Sequence, residues 1–110
     1  MKEEIKYKVS FADSEFSSYT RKQNNLNVKI KAWNEVELNV VFQEVIGVAD
    51  YGIGNISAFV KENIPSLFME RTLLEAYEKV PNEHNYKLYQ LLNLDGVASF
   101  EVIAESFEII

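Results

Sequence analysis

His84 is the only histidine of the chain, set in Pro81-Asn82-Glu83-His84-Asn85, and there is no cysteine to join it. A zinc site needs several nitrogen or sulfur donors, so only carboxylates could complete one here. As a general base His84 would need a nucleophile within hydrogen-bond reach, and no serine stands in a nucleophile-elbow context. The spacing predicts a solvated loop histidine. Carboxylates are more numerous: Glu101, Glu105 and Glu108 follow one another near the end of the chain, and Glu44 and Asp50 lie near Gly52-Ile53-Gly54. Paired carboxylates do acid–base work or hold a cation only inside a cleft that moves their pKa values. Glu101 sits at an alternating strand position and is expected to face solvent. The two glycines lack the third glycine and the following helix of a dinucleotide fingerprint. Asn55-Ile56-Ser57 is a glycosylation sequon, relevant only in a secreted chain. No catalytic residue, cofactor or metal is expected, and the chain reads as a non-enzyme.

Binding is the other chemistry available. Trp33 belongs by parity to the wet face of a hairpin, at its tip. It either folds back onto Val41 or stands free as the kind of aromatic anchor that interfaces use. Tyr77, Tyr86 and Tyr89 lie near Glu75, Glu78 and Glu83 in sequence, a composition suited to a basic protein, although Tyr77 and Tyr89 also occupy core-facing positions. The candidate partner-binding residues are Trp33, Glu101, Glu105 and Glu108.

The elements that would position these residues centre on Leu26 to Val48. Leu26, Val28, Ile30 and Ala32, then Val36, Leu38, Val40 and Phe42, alternate with mostly polar neighbours. That period of two is an extended hairpin with one buried face. A three-residue loop, Trp33-Asn34-Glu35, pairs Ala32 with Val36, Ile30 with Leu38, Val28 with Val40 and Leu26 with Phe42. It keeps the apolar set on one face and sets Lys31 against Glu37. With no glycine in the loop, Asn34 is expected to supply the left-handed position.

Ile5 to Phe11 alternates as cleanly and reads as a first strand. Ala12 to Asn25 reads as a polar loop pinned by Phe16 and Tyr19, or as a short edge strand. Ile56 to Ile64 fits either a strand or a helical turn. Ser66 opens a helix over about 66–80, with Met69, Leu73, Ala76, Tyr77 and Val80 on one stripe, and Pro81 stops it. Asp95-Gly96 is a hairpin signal that pairs Leu91 with Phe100 and Tyr89 with Val102. The opposite face still carries Leu88, Leu92 and Ile103, which places these strands centrally, covered on both sides. A parity change near Glu105-Ser106 predicts a bulge. The fold class is α+β, an antiparallel sheet of about five to seven strands with one main helix packed on it, in a single domain over 1–110.

Charge narrows the partner. The net charge is −6, and residues 1–48 balance seven basic against seven acidic side chains, so residues 49–110 hold the whole excess, ten acidic against four basic. Such a surface disfavours nucleic acid and suits a basic protein. No apolar run approaches the roughly 18 residues that span a membrane, and Met1 to Ser10 is too charged for a signal peptide. The expected compartment is the cytoplasm.

A strand ending in Ala32-Trp33-Asn34, then Tyr77-Glu78-Lys79-Val80-Pro81, Tyr86-Lys87-Leu88-Tyr89-Gln90 and Val102-Ile103-Ala104-Glu105-Ser106-Phe107-Glu108-Ile109, resembles small bacterial immunity-type proteins across residues 28–110. That resemblance implies a cytoplasmic single domain that neutralises a cognate toxin by binding it, and it assigns no functional residue. The leading expectation is a non-enzymatic protein-binding domain with a basic partner. The alternative is a carrier of a small or lipid-like molecule, with a pocket between sheet and helix.

Overall fold

The computed structural model describes residues 2–52, 54–63, 66–77 and 84–110. Among them are ten strands and one helix. In chain order these are β1 (Lys2–Glu4), β2 (Ser14–Lys22), β3 (Asn25–Lys31), β4 (Glu37–Gln43), β5 (Gly47–Asp50), β6 (Asn55–Ile56), β7 (Ala58–Glu62), α1 (Leu67–Tyr77), β8 (Lys87–Leu92), β9 (Ala98–Ala104) and β10 (Ser106–Ile109). They form two five-stranded sheets rather than one, ordered β1-β7-β8-β9-β5 and β10-β4-β3-β2-β6, with every pairing antiparallel. The main core lies between the sheets, where Leu26, Val28, Ile30, Val40 and Phe42 meet Phe59, Tyr89, Leu91, Phe100 and Val102. A second, smaller core of Met69, Leu73, Leu88 and Ile103 joins α1 to the outer face of the first sheet. β8 and β9 are therefore covered on both faces, as their two-sided apolar pattern requires.

The central hairpin has the register its alternation dictates: Leu26 pairs with Phe42, Val28 with Val40, Ile30 with Leu38 and Lys31 with Glu37. The left-handed position falls on Glu35 (φ 68°) instead of Asn34, whose Oδ1 accepts the Val36 N–H at 3.3 Å. The ion pair that forms is Lys31–Glu35 at 3.7 Å, on exposed side chains. In the second hairpin Leu91 pairs with Phe100 and Tyr89 with Val102, but Leu92 pairs with Ala98. Its loop is the three-residue Leu94-Asp95-Gly96, closed by Asn93 N–H to Val97 O at 2.9 Å, with Gly96 at φ 77°. An irregularity beside Leu91 and Leu92 then restores the pairing that a two-residue turn would have given.

Three expectations need correction. Ile5 to Phe11 is not a paired strand: the ladder of β1 with β7 ends at Ile5 N–H to Phe59 O, 2.8 Å. Ile5, Tyr7 and Val9 nevertheless pack on the main core, and Phe11 is buried in it, so the alternation reports burial without pairing. The polar stretch after it contains β2, at nine residues the longest of the described strands. A register shift between Phe16 and Ser18 lets Phe16 pair with Ile30 and Tyr19 with Val28, so two residues three apart share the core-side face, Tyr19 at its exposed margin, and the period of two is hidden. The parity change near Glu105 is a sheet switch rather than a bulge within one sheet. β9 continues into β10 of the facing sheet, and β4 likewise continues toward β5. The corner is tied by Glu105 N–H to Gln43 O at 3.1 Å and Ile46 N–H to Ile103 O at 2.9 Å. Glu44 turns it with φ 55°.

α1 opens where Ser66 Oγ accepts the Met69 N–H at 3.1 Å, an N-cap. Met69 and Leu73 are buried, whereas Tyr77 is about half exposed. Val80 and the Pro81 stop lie outside the described residues. The helix comes close to the sheet at Gly47, where a Cβ would stand 3.0 Å from Thr72 Cγ2 and 3.2 Å from Phe68 Cζ.

Candidate functional site

Trp33 stands free. Its side chain is 62% exposed and Val36 beside it is 45% exposed, so the indole does not fold away over the hairpin. The loop beneath it is held by Ala32 N–H to Val36 O and Glu35 N–H to Ala32 O, both 2.9 Å, and by the Asn34 side chain. A non-glycine residue at positive φ is paid for in backbone strain, and here it fixes the tip that carries the tryptophan. A large apolar side chain on a preorganised support loses little further entropy when a partner covers it.

Glu101 contradicts its expected exposure: it is 7% exposed, on the face of β9 that looks toward the helix layer. Tyr51 OH donates to Glu101 Oε1 at 2.8 Å and Gln90 Nε2 donates to Oε2 at 2.7 Å. Alternation placed Glu101 on the outer face of its sheet correctly. What the sequence does not show is that this face is covered, and the flanking Phe100 and Val102 hint at it only weakly. Hydrogen bonding to the carboxylate, with burial and its negative charge adding to it, pushes the Tyr51 hydroxyl up from its usual pKa. A carboxylate whose two oxygens are held by neutral donors is a structural tie. It cannot serve as a surface charge for a partner.

The other acidic candidates are dispersed by the sheet switch. Glu105 sits at the corner, its carbonyl accepting Lys87 Nζ at 2.8 Å. Glu108 lies on the outer face of the second sheet, opposite Val41 and 3.5 Å from Gln43 Nε2. Glu101, Glu105 and Glu108 thus form no common patch.

The tyrosines separate in the same way. Tyr89 is buried against Phe42, Phe59 and Phe107, and burial raises its pKa. Tyr77 and Tyr86 pair through their hydroxyls at 2.7 Å. That hydrogen bond, then burial, with the negative field of Glu105 and Glu44 adding to it, pushes Tyr86 up to about 12. His84 is exposed, stacks on Tyr86 with centroids 6.0 Å apart, and accepts the Tyr86 N–H at Nδ1, 3.2 Å. Tyr86, holding its proton to higher pH, is not activated as a nucleophile or base, and no serine is hydrogen-bonded to His84 among the described contacts.

Among the described residues no three His, Cys, Asp or Glu side chains cluster as metal ligands. Two open depressions lie among the described residues. One, of about 390 Å³, runs between the N-terminal segment and β7, past Ile5, Tyr7, Phe11 and Phe59. The other, of about 290 Å³, opens at the edge of the helix–sheet contact, past Met69, His84, Tyr86, Lys87 and Leu88. No helix among the described residues is long and apolar enough to cross a membrane. No protein-family model, curated protein or solved structure matches the chain, so its chemistry is read from its own residues.

Proposed function

We propose that the chain is a non-enzymatic protein-binding domain whose contact is anchored by Trp33. The observation that carries this reading is the exposure of that indole, beside Val36, on a hairpin tip fixed by hydrogen bonds. Tryptophan is among the side chains enriched at the few positions that carry most of an interface's binding energy. The acidic excess of residues 49–110 favours a basic partner through long-range attraction and disfavours nucleic acid. The likeness to immunity-type proteins extends the reading to a cognate toxin met in the cytoplasm. Glu105 and Glu108 contribute to the general acidic field in this account, and Glu101 holds the fold.

The carrier reading has less support. Met69, Leu73, Leu88 and Ile103 fill the contact between helix and sheet, leaving an open cleft at its edge rather than an enclosed cavity.

The test is affinity capture from host lysate by the wild-type chain and by Trp33→Ala, at low and high salt. The reading expects one basic protein, captured in stoichiometric amount, weakened by salt and lost with Trp33→Ala. Equal capture by both chains would remove Trp33 from the contact.

A further inference from the structure

The tips of the two long hairpins share one loop design. Ala32-Trp33-Asn34-Glu35-Val36 and Asn93-Leu94-Asp95-Gly96-Val97 each close through the first N–H to the last carbonyl, 2.9 Å in both. In each the fourth N–H also donates to the first carbonyl, at 2.9 and 3.0 Å. The fourth residue is the left-handed one in both, Glu35 at φ 68° and Gly96 at φ 77°. A side-chain amide braces each turn: Asn34 Oδ1 accepts the Val36 N–H at 3.3 Å, and Asn93 Oδ1 accepts those of Asp95 and Val97 at 2.9 and 3.1 Å. The same two positions are then apolar and exposed, Trp33 and Val36 on one tip, Leu94 and Val97 on the other.

Both tips project from the same end of the sandwich. Leu26 pairs with Phe42, whose ring lies 5.4 Å from Tyr89. Farther along, Ile30 pairs with Phe16, whose ring lies 5.5 Å from Phe100, the partner of Leu91. β3 and β8 therefore run the same way in facing sheets, and Trp33 and Leu94 each stand three residues beyond the second of these levels. Four of the ten large apolar side chains exposed among the described residues gather there, whereas single, scattered exposure would need no explanation. The charge beside them has one sign. Glu35, Glu37 and Asp95 are acidic, and Lys31, the only cation in residues 31–37 and 92–98, is 3.7 Å from Glu35.

We propose that the two tips form one contact surface for a basic protein, with Trp33, Val36, Leu94 and Val97 on its apolar face and Glu37 and Asp95 toward its cations. Two loops fixed by their own hydrogen bonds lose little further entropy on docking. Their acidic flanks repel the phosphates of nucleic acid and of anionic lipid and attract a cationic protein surface. The inference rests on the reading of Trp33 as an anchor and adds the facing sheet's tip to that contact.

The test places a photoreactive benzophenone side chain in the full chain at Trp33, at Leu94 or at the exposed Leu74 of α1, and irradiates each chain in host lysate. The chains labelled at Trp33 and Leu94 are expected to cross-link to one and the same basic protein, identified by mass spectrometry. The chain labelled at Leu74 is not. Against that protein, purified, Leu94→Ser combined with Val97→Ser should lose about tenfold in affinity while keeping the wild-type urea midpoint. Asp95→Lys should weaken binding at low salt more than Glu108→Lys does. Cross-linking from Trp33 alone would leave the Trp33 contact standing and overturn the paired tips. So would different proteins at the two tips, or full affinity in the Leu94 and Val97 double variant. A shift of Trp33 emission to shorter wavelength on phosphatidylcholine vesicles would make the tips a lipid contact and overturn the proposal. No cross-link from either tip would overturn it together with the Trp33 reading.

Discussion

The two long hairpins of this protein solve the same geometric problem under different constraints. β3–β4 has one buried face: Val28, Ile30, Leu38 and Val40 enter the main core, while Lys29, Lys31 and Glu37 stay in water. β8–β9 is buried on both faces, with Tyr89, Leu91, Phe100 and Val102 turned toward the second sheet and Leu88 and Ile103 toward the helix. A one-faced hairpin keeps its charged side chains in water, although Asn27 Oδ1 of β3 is buried without a partner. A two-faced hairpin must satisfy any that it keeps, and this one does so in part: Ser99 and Glu101 are buried and hydrogen-bonded, and Gln90 donates Nε2 to Glu101 while its Oε1 is buried without a partner. The contrast explains why a carboxylate at a strand position is surface charge in one hairpin and an internal tie in the other.

The sharpest separation of the two faces of β9 comes from its neighbouring residues. Phe100→Ala removes a ring that packs on Phe16 and Tyr19 at 5.5 and 5.2 Å and should cost about 3–5 kcal/mol, read from urea denaturation. Glu101→Ala, on the opposite face, should cost about 1–3 kcal/mol, because Gln90 loses its buried acceptor and Tyr51 is released. A Glu101→Ala variant as stable as wild type would show that water reaches this face, and the two-faced description would fail. At the helix that covers the face, Ser66→Ala should cost about 1 kcal/mol through the lost N-cap.

The tyrosines add a pH test. A phenol that keeps its proton to higher pH when folded binds more protons than the unfolded chain does between the two pKa values. The pairing of Tyr86 with Tyr77 therefore stabilises the fold fully below about pH 10, and that contribution is lost as pH rises toward 12. Tyr51 and Tyr89 act in the same direction. Absorbance titration of phenolate should show these tyrosines ionising late, and Tyr77→Phe should bring Tyr86 down. The smallest effect belongs to the tip of the one-faced hairpin: Trp33→Ala should change stability by less than about 0.5 kcal/mol, since most of the indole already lies in solvent.

How far the sequence could be read follows from the same contrast. The register of β3–β4 was legible because a one-residue slip would expose Ile30 and Leu38, whereas the two-residue turn read at Asp95-Gly96 is a three-residue loop, and Leu91 meets Phe100 because the irregularity at Leu91 and Leu92 offsets it. The second sheet was not, because β2 hides its period behind the shift at Ser17, and because the switch at Glu105 makes one continuous run serve two sheets. Among the site residues, Trp33 was visible as a tip residue whose exposure was undecided. The partners of Glu101 were invisible, since Tyr51 and Gln90 lie 50 and 11 residues away and meet it only through pairing of β5 and β8 with β9.

Trp33 is the only tryptophan, so its fluorescence reports on the proposed contact without interference. The decisive measurement is a titration of the wild-type chain with the captured basic protein, following tryptophan emission, with affinity measured in parallel for Trp33→Ala. Where the partner contains tryptophan, a partner variant lacking it is used. The account predicts a shift of emission to shorter wavelength that saturates at one to one, and an affinity loss of about thirtyfold or more in the variant. A complex that forms with unchanged emission and with equal affinity for Trp33→Ala would contradict it.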